Sequence, residues 1–228
     1  MSTHNVWYAA QAKVNPDLFR VIFDFNRRPQ FWLHPAVART LPEAPLVNIL
    51  ASSRHGQGHL AVWLERALGL EAHAPVWDFE EPRRRLTLLG PQALARLAKF
   101  AGAALTWPAI VSVIGKSQMQ EIRSDLGEDA HAFALRRARL LVPEKDAVLP
   151  EANAPLVAHA LDLGWNLVTT AAYDELDAIR NRFTLKLPPA VAEKFRRRVD
   201  PEVRERAWSR IRQISREVLT EGEQKCFA

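Results

Sequence analysis

Apolar residues recur along this chain at three- and four-residue spacing and almost nowhere in strict alternation, which predicts helices. The first stripe is Leu18, Phe19, Ile22 and Phe23, entered through Asn15-Pro16, a capping residue followed by a proline at the first helical position. His34-Pro35 opens a short helix that Pro42 and Pro45 limit. Leu60, Trp63, Leu64, Ala67 and Leu68 form the next stripe, closed by Gly69 as a left-handed C-cap. Gly90-Pro91 starts a helix with Leu94, Leu97, Ala98, Ala101 and Leu105 on one side.

The middle of the chain reads as a helical hairpin. Ser117 and Gln120 have capping-box spacing, Met119, Ile122 and Leu126 line one face, and Gly127 ends the first arm. Glu128 and Asp129 suit the start of the second arm and Arg136, Arg137 and Arg139 its end, while Ala130, Phe133, Ala134, Ala138 and Leu141 supply its buried stripe. Pro143 to Pro155 reads as a connecting loop. Beyond it, Val157, Ala160, Leu161, Gly164, Leu167, Val168 and Ala171 share a long helical face. Gly164 there costs up to about 1 kcal/mol relative to alanine, which predicts close packing against a neighbour. Leu176, Ile179 and Phe183 continue the pattern until Leu187-Pro188-Pro189. Asp200-Pro201 starts a last helix with a seam of Val203, Ala207, Ile211, Ile214 and Val218. Only Arg85 to Leu89 suits a strand, and one strand alone is marginal.

The expected fold is therefore all-α: a single compact multi-helix domain over residues 1–228, with at most one short strand-like segment. If the loop at 143–153 is a boundary, it separates lobes 15–142 and 154–220. The 228 residues suffice for a sizeable core. Met1 to Gln11 lack the basic start and apolar block of a signal peptide, and Phe100 to Ile114 is too short to span a bilayer. A cytoplasmic location without direct membrane insertion is expected. The single cysteine, Cys226, precludes an internal disulfide.

The net charge of +5 is concentrated late in the chain. Arg180, Arg182, Lys186, Lys194, Arg196, Arg197, Arg198, Arg204, Arg206, Arg210, Arg212 and Arg216 crowd the last quarter, a composition suited to phosphates, acidic lipid or an acidic protein. Trp208 beside that last seam, flanked by Arg204, Arg212 and Arg216, reads either as an interface anchor or as a packed indole among solvated arginines. Phe31-Trp32 is expected to be a buried junction fixing the angle between two helices, with an exposed partner patch as the alternative.

Candidate chemistry is sparse. Gly115-Lys116-Ser117 lacks the glycine five residues earlier that a phosphate loop needs, since Ile110 stands there. His55 and His59 are four apart, but Gly56 and Gly58 argue against a regular helix and a structural zinc wants four ligands. Asp174, Glu175 and Asp177 read as helix N-terminal charge. No catalytic, cofactor-binding or metal site, and no small-molecule substrate, is expected.

Two segments carry a resemblance. Phe25, Asn26, Pro29, Trp32, Leu33, His34 and Pro35 match an early motif, and Leu126, Gly127, Phe133, Ala134 and Leu135 a mid-chain junction, of the SctK family, which includes YscK and PscK. The likeness extends loosely over residues 15–220. It implies an all-helical accessory protein of bacterial type III secretion, a cytoplasmic adaptor of the sorting platform. Such an adaptor would bridge the cytoplasmic domain of an SctD-like inner-membrane ring protein to an SctQ-like pod protein. The residues offered for partner contact are Phe31, Trp32, Arg204, Trp208, Arg212 and Arg216. The competing expectation is nucleic-acid binding through the arginine-rich C-terminal region.

Overall fold

The computed structural model describes residues 3–42, 44–151, 154–195 and 198–225; Arg196, Arg197 and Cys226 lie outside them. The fold is all-α, with no strand among the described residues. The helices are α1 (Thr3–Val14), α2 (Pro16–Arg27), α3 (Pro35–Thr40), α4 (Ala44–Ser52), α5 (Gly56–Ala67), α6 (Pro91–Leu105), α7 (Trp107–Ser112), α8 (Lys116–Leu126), α9 (Glu128–Phe133), α10 (Arg139–Leu141), α11 (Leu156–Ala172), α12 (Asp177–Thr184), α13 (Pro189–Lys194), α14 (Pro201–Val218) and α15 (Glu221–Gln224). They fall into two units interleaved in sequence. The first comprises Met1–Pro91, Ala172–Arg198 and Glu221–Ala228, the second Gln92–Ala171 and Val199–Thr220.

In the first unit α2 is the organising helix. Asn15 Oδ1 accepts the Leu18 N–H at 3.1 Å, so the expected cap forms. The buried face is Leu18, Ile22, Phe25 and Asn26 rather than the expected Leu18-Phe19-Ile22-Phe23 stripe, and Phe23 is partly exposed. Phe25 meets Phe79 edge to face at 5.6 Å. Asn26 grips an extended segment from both sides: its Nδ2 donates to Val76 O at 2.7 Å and its Oδ1 accepts from Val76 N at 2.9 Å. A buried amide satisfied this way fixes one register, because any slip strands its polar atoms.

The anticipated strand at 85–89 is instead a 3-10 turn, Arg84–Leu88. Its arginines bind backbone just upstream: Arg85 Nε donates to Phe79 O at 2.7 Å and Arg84 Nη1 to Asp78 O at 2.8 Å. These bonds fold the segment back on itself, which an extended strand could not do.

The second unit is built around the crossing of α6 and α11. A Cβ on Gly164 would lie 1.8 Å from Ala98 O, and one on Gly102 would lie 1.9 Å from Ala160 O, so the two backbones touch through paired glycines. The close packing expected at Gly164 is present, and Gly102 is its unforeseen counterpart. Ile110, Ile122, Leu126, Ala130 and Ala134 form the adjoining core. Gly127, at φ +90, turns the chain between α8 and α9. The Ser117–Gln120 capping box does not form: α8 starts at Lys116 with Gly115 as a cap lacking any side-chain bond. Between α9 and α10 the helix widens into a π-helical stretch, Ala134–Ala138.

The division into units does not follow the loop at 143–153, whose described residues lie inside the second unit. They are tied there by Val148 N donating to Leu105 O at 2.8 Å and by Arg210 reaching Asp146 at 3.0 Å; Arg210 also donates to Leu141 O, just before the loop, at 2.6 Å.

Candidate partner-binding surfaces

The Phe31-Trp32 pair is split. Trp32 is buried, its Nε1 donating to Asp24 O at 2.9 Å, whereas Phe31 is 50% exposed. The Arg28 guanidinium lies 5.9 Å from the Phe31 ring and 5.3 Å from that of Phe23. Trp32 is thus a packing residue, and Phe31 alone presents a surface. The rest of the motif also has local structural work. His34 N donates to Leu185 O at 2.9 Å, and His34 Nδ1 accepts the Ala36 N–H at 3.1 Å, capping α3.

That cap requires a neutral imidazole. Burial, and then the Arg39 charge, holds the His34 pKa below its ordinary value. The unfolded chain therefore binds the proton at higher pH than the folded one. Stability from this site is full above the ordinary histidine range and is lost as pH falls through the lowered folded value. His131, buried in the second unit, is shifted the same way by burial and then by Arg123. Melting temperature is expected to drop between about pH 7 and pH 5, and less steeply in His34→Asn, which keeps a capping oxygen without titrating. An unchanged slope in that variant would assign the acid sensitivity elsewhere.

The cationic run is divided by the fold. Residues 180–195 and Arg198 belong to the first unit and 204–216 to the second. Lys186 and Arg182 are buried at 1% and 2% exposure. Lys186 Nζ donates to Thr87 O at 2.7 Å and Leu89 O at 3.1 Å, above the rings of Phe25 and Trp32 at 4.8 and 5.4 Å. Arg180 is engaged by Asp177 and by Asp174 O.

On α14, Trp208 is buried with Ala207, Ile211 and Ile214, while Val203 is exposed. Trp208 is therefore part of the core and not a surface anchor. The broad indole has more apolar area to bury than valine, and the helix turns to suit it. Arg204 is half-buried, its Nε enclosed without a hydrogen-bond partner. Arg212 and Arg216 are exposed.

The polar clusters weighed for chemistry have structural roles. Asp174 is buried; its Oδ2 meets Arg84 Nε at 2.9 Å and its Oδ1 accepts the Leu176 N–H, so helix-end charge describes Asp177 but not Asp174. Arg84 also holds Asp78 at 2.9 Å. Burial alone would lower the Arg84 pKa, but the hydrogen bonds and charges of Asp174 and Asp78 leave it raised. Gly56 and Gly58 lie within the first turn of α5, contrary to the irregular turn expected there, with His55 at its cap. Lys116 and Ser117 begin α8, a few residues beyond α7, whose helical backbone occupies the place of a phosphate-wrapping loop. Among the described residues no group of three or more His, Cys, Asp or Glu is placed to hold a metal.

Sequence reasoning missed Lys186 and the Arg84–Asp174 pair. A cue existed for the first: Lys186 stands between Leu185 and Leu187, a single cation in an apolar run. No local signal joins residues 84 and 174.

A family model described as "YOP proteins translocation protein K (YscK)" matches residues 21–228. No curated protein and no solved structure matches the chain.

Proposed function

Because the chain belongs to the YscK family of type III secretion proteins, we propose that it acts as a non-enzymatic adaptor of the sorting platform. It bridges the cytoplasmic domain of an SctD-like inner-membrane ring protein to an SctQ-like pod protein, and these partners recruit it to the cytoplasmic face of the inner membrane. The observation that supports this reading is the pair of units, each with its own core. A protein with two compact units can offer a separate surface to each of two partners. In keeping with recruitment through partners, no helix among the described residues is long and apolar enough to cross a membrane.

Exposed Arg212 and Arg216 on α14 steer an acidic partner. Charge at an interface rim acts mainly on the association rate and its salt dependence. Nuclease-treated co-purification with each cognate partner, at low and moderate salt, tests the reading. Wild type is expected to retain both partners at moderate salt. Arg212→Glu/Arg216→Glu is expected to slow association with one of them about tenfold at low salt, with less effect at high salt. Unaltered rates in that folded variant would remove the two arginines from the interface. Failure to retain either partner would overturn the adaptor reading.

A further inference from the structure

We propose that a groove on the first unit, between the C-terminal end of α2 and the N-terminal half of α5, is a docking site for an acidic polypeptide segment. This inference stands on the groove alone and goes beyond the adaptor reading.

The groove encloses about 410 Å³. Its walls are apolar at Phe23, Ala61 and Val62 and cationic at Arg27, Arg28 and Arg54, with Glu65 as its acidic residue. Phe23 and Val62 are 37% and 53% exposed, so the groove offers aromatic and aliphatic surface beside its arginines. Gly58 leaves the floor open: nothing lies within 4 Å of where its Cβ would stand.

The charges are not balanced within the fold. Arg27 and Arg54 are exposed, and among the described residues neither makes an ion pair or a side-chain hydrogen bond. Arg28 is held in place by the faces of Phe23 and Phe31 and by Asp24 at 3.4 Å. Asp24 is shared with Arg20 at 3.9 Å. Against the three arginines of the lining, Glu65 is the single carboxylate, and its charge is also felt by a buried fourth guanidinium. Arg182 senses both Glu65 and Arg27, and its Nε has no hydrogen-bond partner.

A guanidinium flanked by two aromatic rings and one carboxylate is restrained in position and keeps further N–H groups for a second carboxylate, so Arg28 suits an acidic ligand. Arginine beside exposed aromatic and aliphatic surface is the composition of a protein interface core. A nucleic acid would leave the apolar walls unfilled, and a flat lipid surface does not enter a groove. A helical segment carrying carboxylates beside leucine-like side chains satisfies both halves of the site.

The test measures binding of a fluorescently labelled peptide of glutamate and leucine, at helical spacing, to the full-length protein in near-physiological salt. A DNA duplex and phosphatidylserine vesicles serve as competing probes. Arg27→Glu/Arg54→Glu is expected to weaken peptide binding by about tenfold or more. Arg136→Glu/Arg139→Glu, the same charge change on exposed arginines of the second unit, is expected to stay within about twofold. Arg54→Ala, a milder change, is expected to cost about threefold and decides the matter if the double variant fails to fold. Equal losses in the two double variants would mean attraction by net charge only and would overturn the proposal. So would no peptide binding, or groove-dependent binding of the duplex or vesicles in its place. No secretion component enters the experiment, so its failure is distinct from failure of the adaptor reading.

Discussion

Gly164→Ala is expected to destabilise the protein by on the order of 3 kcal/mol, although glycine to alanine inside a helix ordinarily stabilises by up to about 1 kcal/mol. The reversal comes from the crossing of α6 and α11. The added methyl would sit 1.8 Å from Ala98 O and 2.8 Å from Gly102 N, and both of those are backbone atoms of a helix that cannot rotate away. The helices must separate, and Ala98 and Ala101, fully buried on α6, lose their packing. Gly102→Ala is expected to behave alike, since its methyl would meet Ala160 O at 1.9 Å. Gly58→Ala, in α5 with open space around it, is the control and is expected to be neutral or stabilising by up to about 1 kcal/mol. Denaturant unfolding of the three variants reads the difference. A Gly164→Ala protein as stable as wild type would show that the helix backbones do not approach as described.

The second large effect is expected at Lys186. Truncation in Lys186→Ala removes the donor from the Thr87 and Leu89 carbonyls and opens a void over Phe25 and Trp32. Orphaned acceptors and a cavity together cost about 3 to 5 kcal/mol, a fall in melting temperature of about 6 to 20 °C for a chain of this size. Lys186→Met keeps most of the volume and sheds the buried charge, so it is expected to cost about 1 to 3 kcal/mol, chiefly for the unsatisfied carbonyls. The order alanine worse than methionine worse than wild type is what thermal melts should return. If methionine equals or exceeds wild type, the carbonyl contacts contribute nothing net. This lysine also accounts for the early motif: Phe25 and Trp32 form the surface on which the cation rests, Asn26 fixes the segment at Val76, and His34 binds Leu185 next to it.

The elements legible in the sequence were those determined within a few residues. Asn15-Pro16, His34-Pro35 and Asp200-Pro201 all start helices as expected, because an N-cap is a contact spanning two or three positions. Helix faces were less secure. Phe23 and Val203 looked like seam residues, yet Phe25 and Trp208 took the interior, since a short periodic stripe fixes a helix's rotation only to within one position. The Arg84–Leu88 turn was misread as a strand because its conformation is set by arginines binding carbonyls upstream, not by its own propensity. Nor does the sequence reveal that the chain passes from one unit to the other between Arg198 and Val199. The docking groove had no local signature, as Arg27 and Arg54 are far apart in sequence and line one cavity only in the fold.

The central proposal is that this chain bridges the ring protein's cytoplasmic domain to the pod protein. The most direct test mixes purified ring-protein cytoplasmic domain and pod protein with and without it, after nuclease treatment, and weighs the complexes by light scattering during size exclusion. The account predicts a single complex containing all three proteins, and separate elution of the two partners when the chain is left out. Partners that associate equally well without it, or a chain that elutes alone in both mixtures, would contradict it.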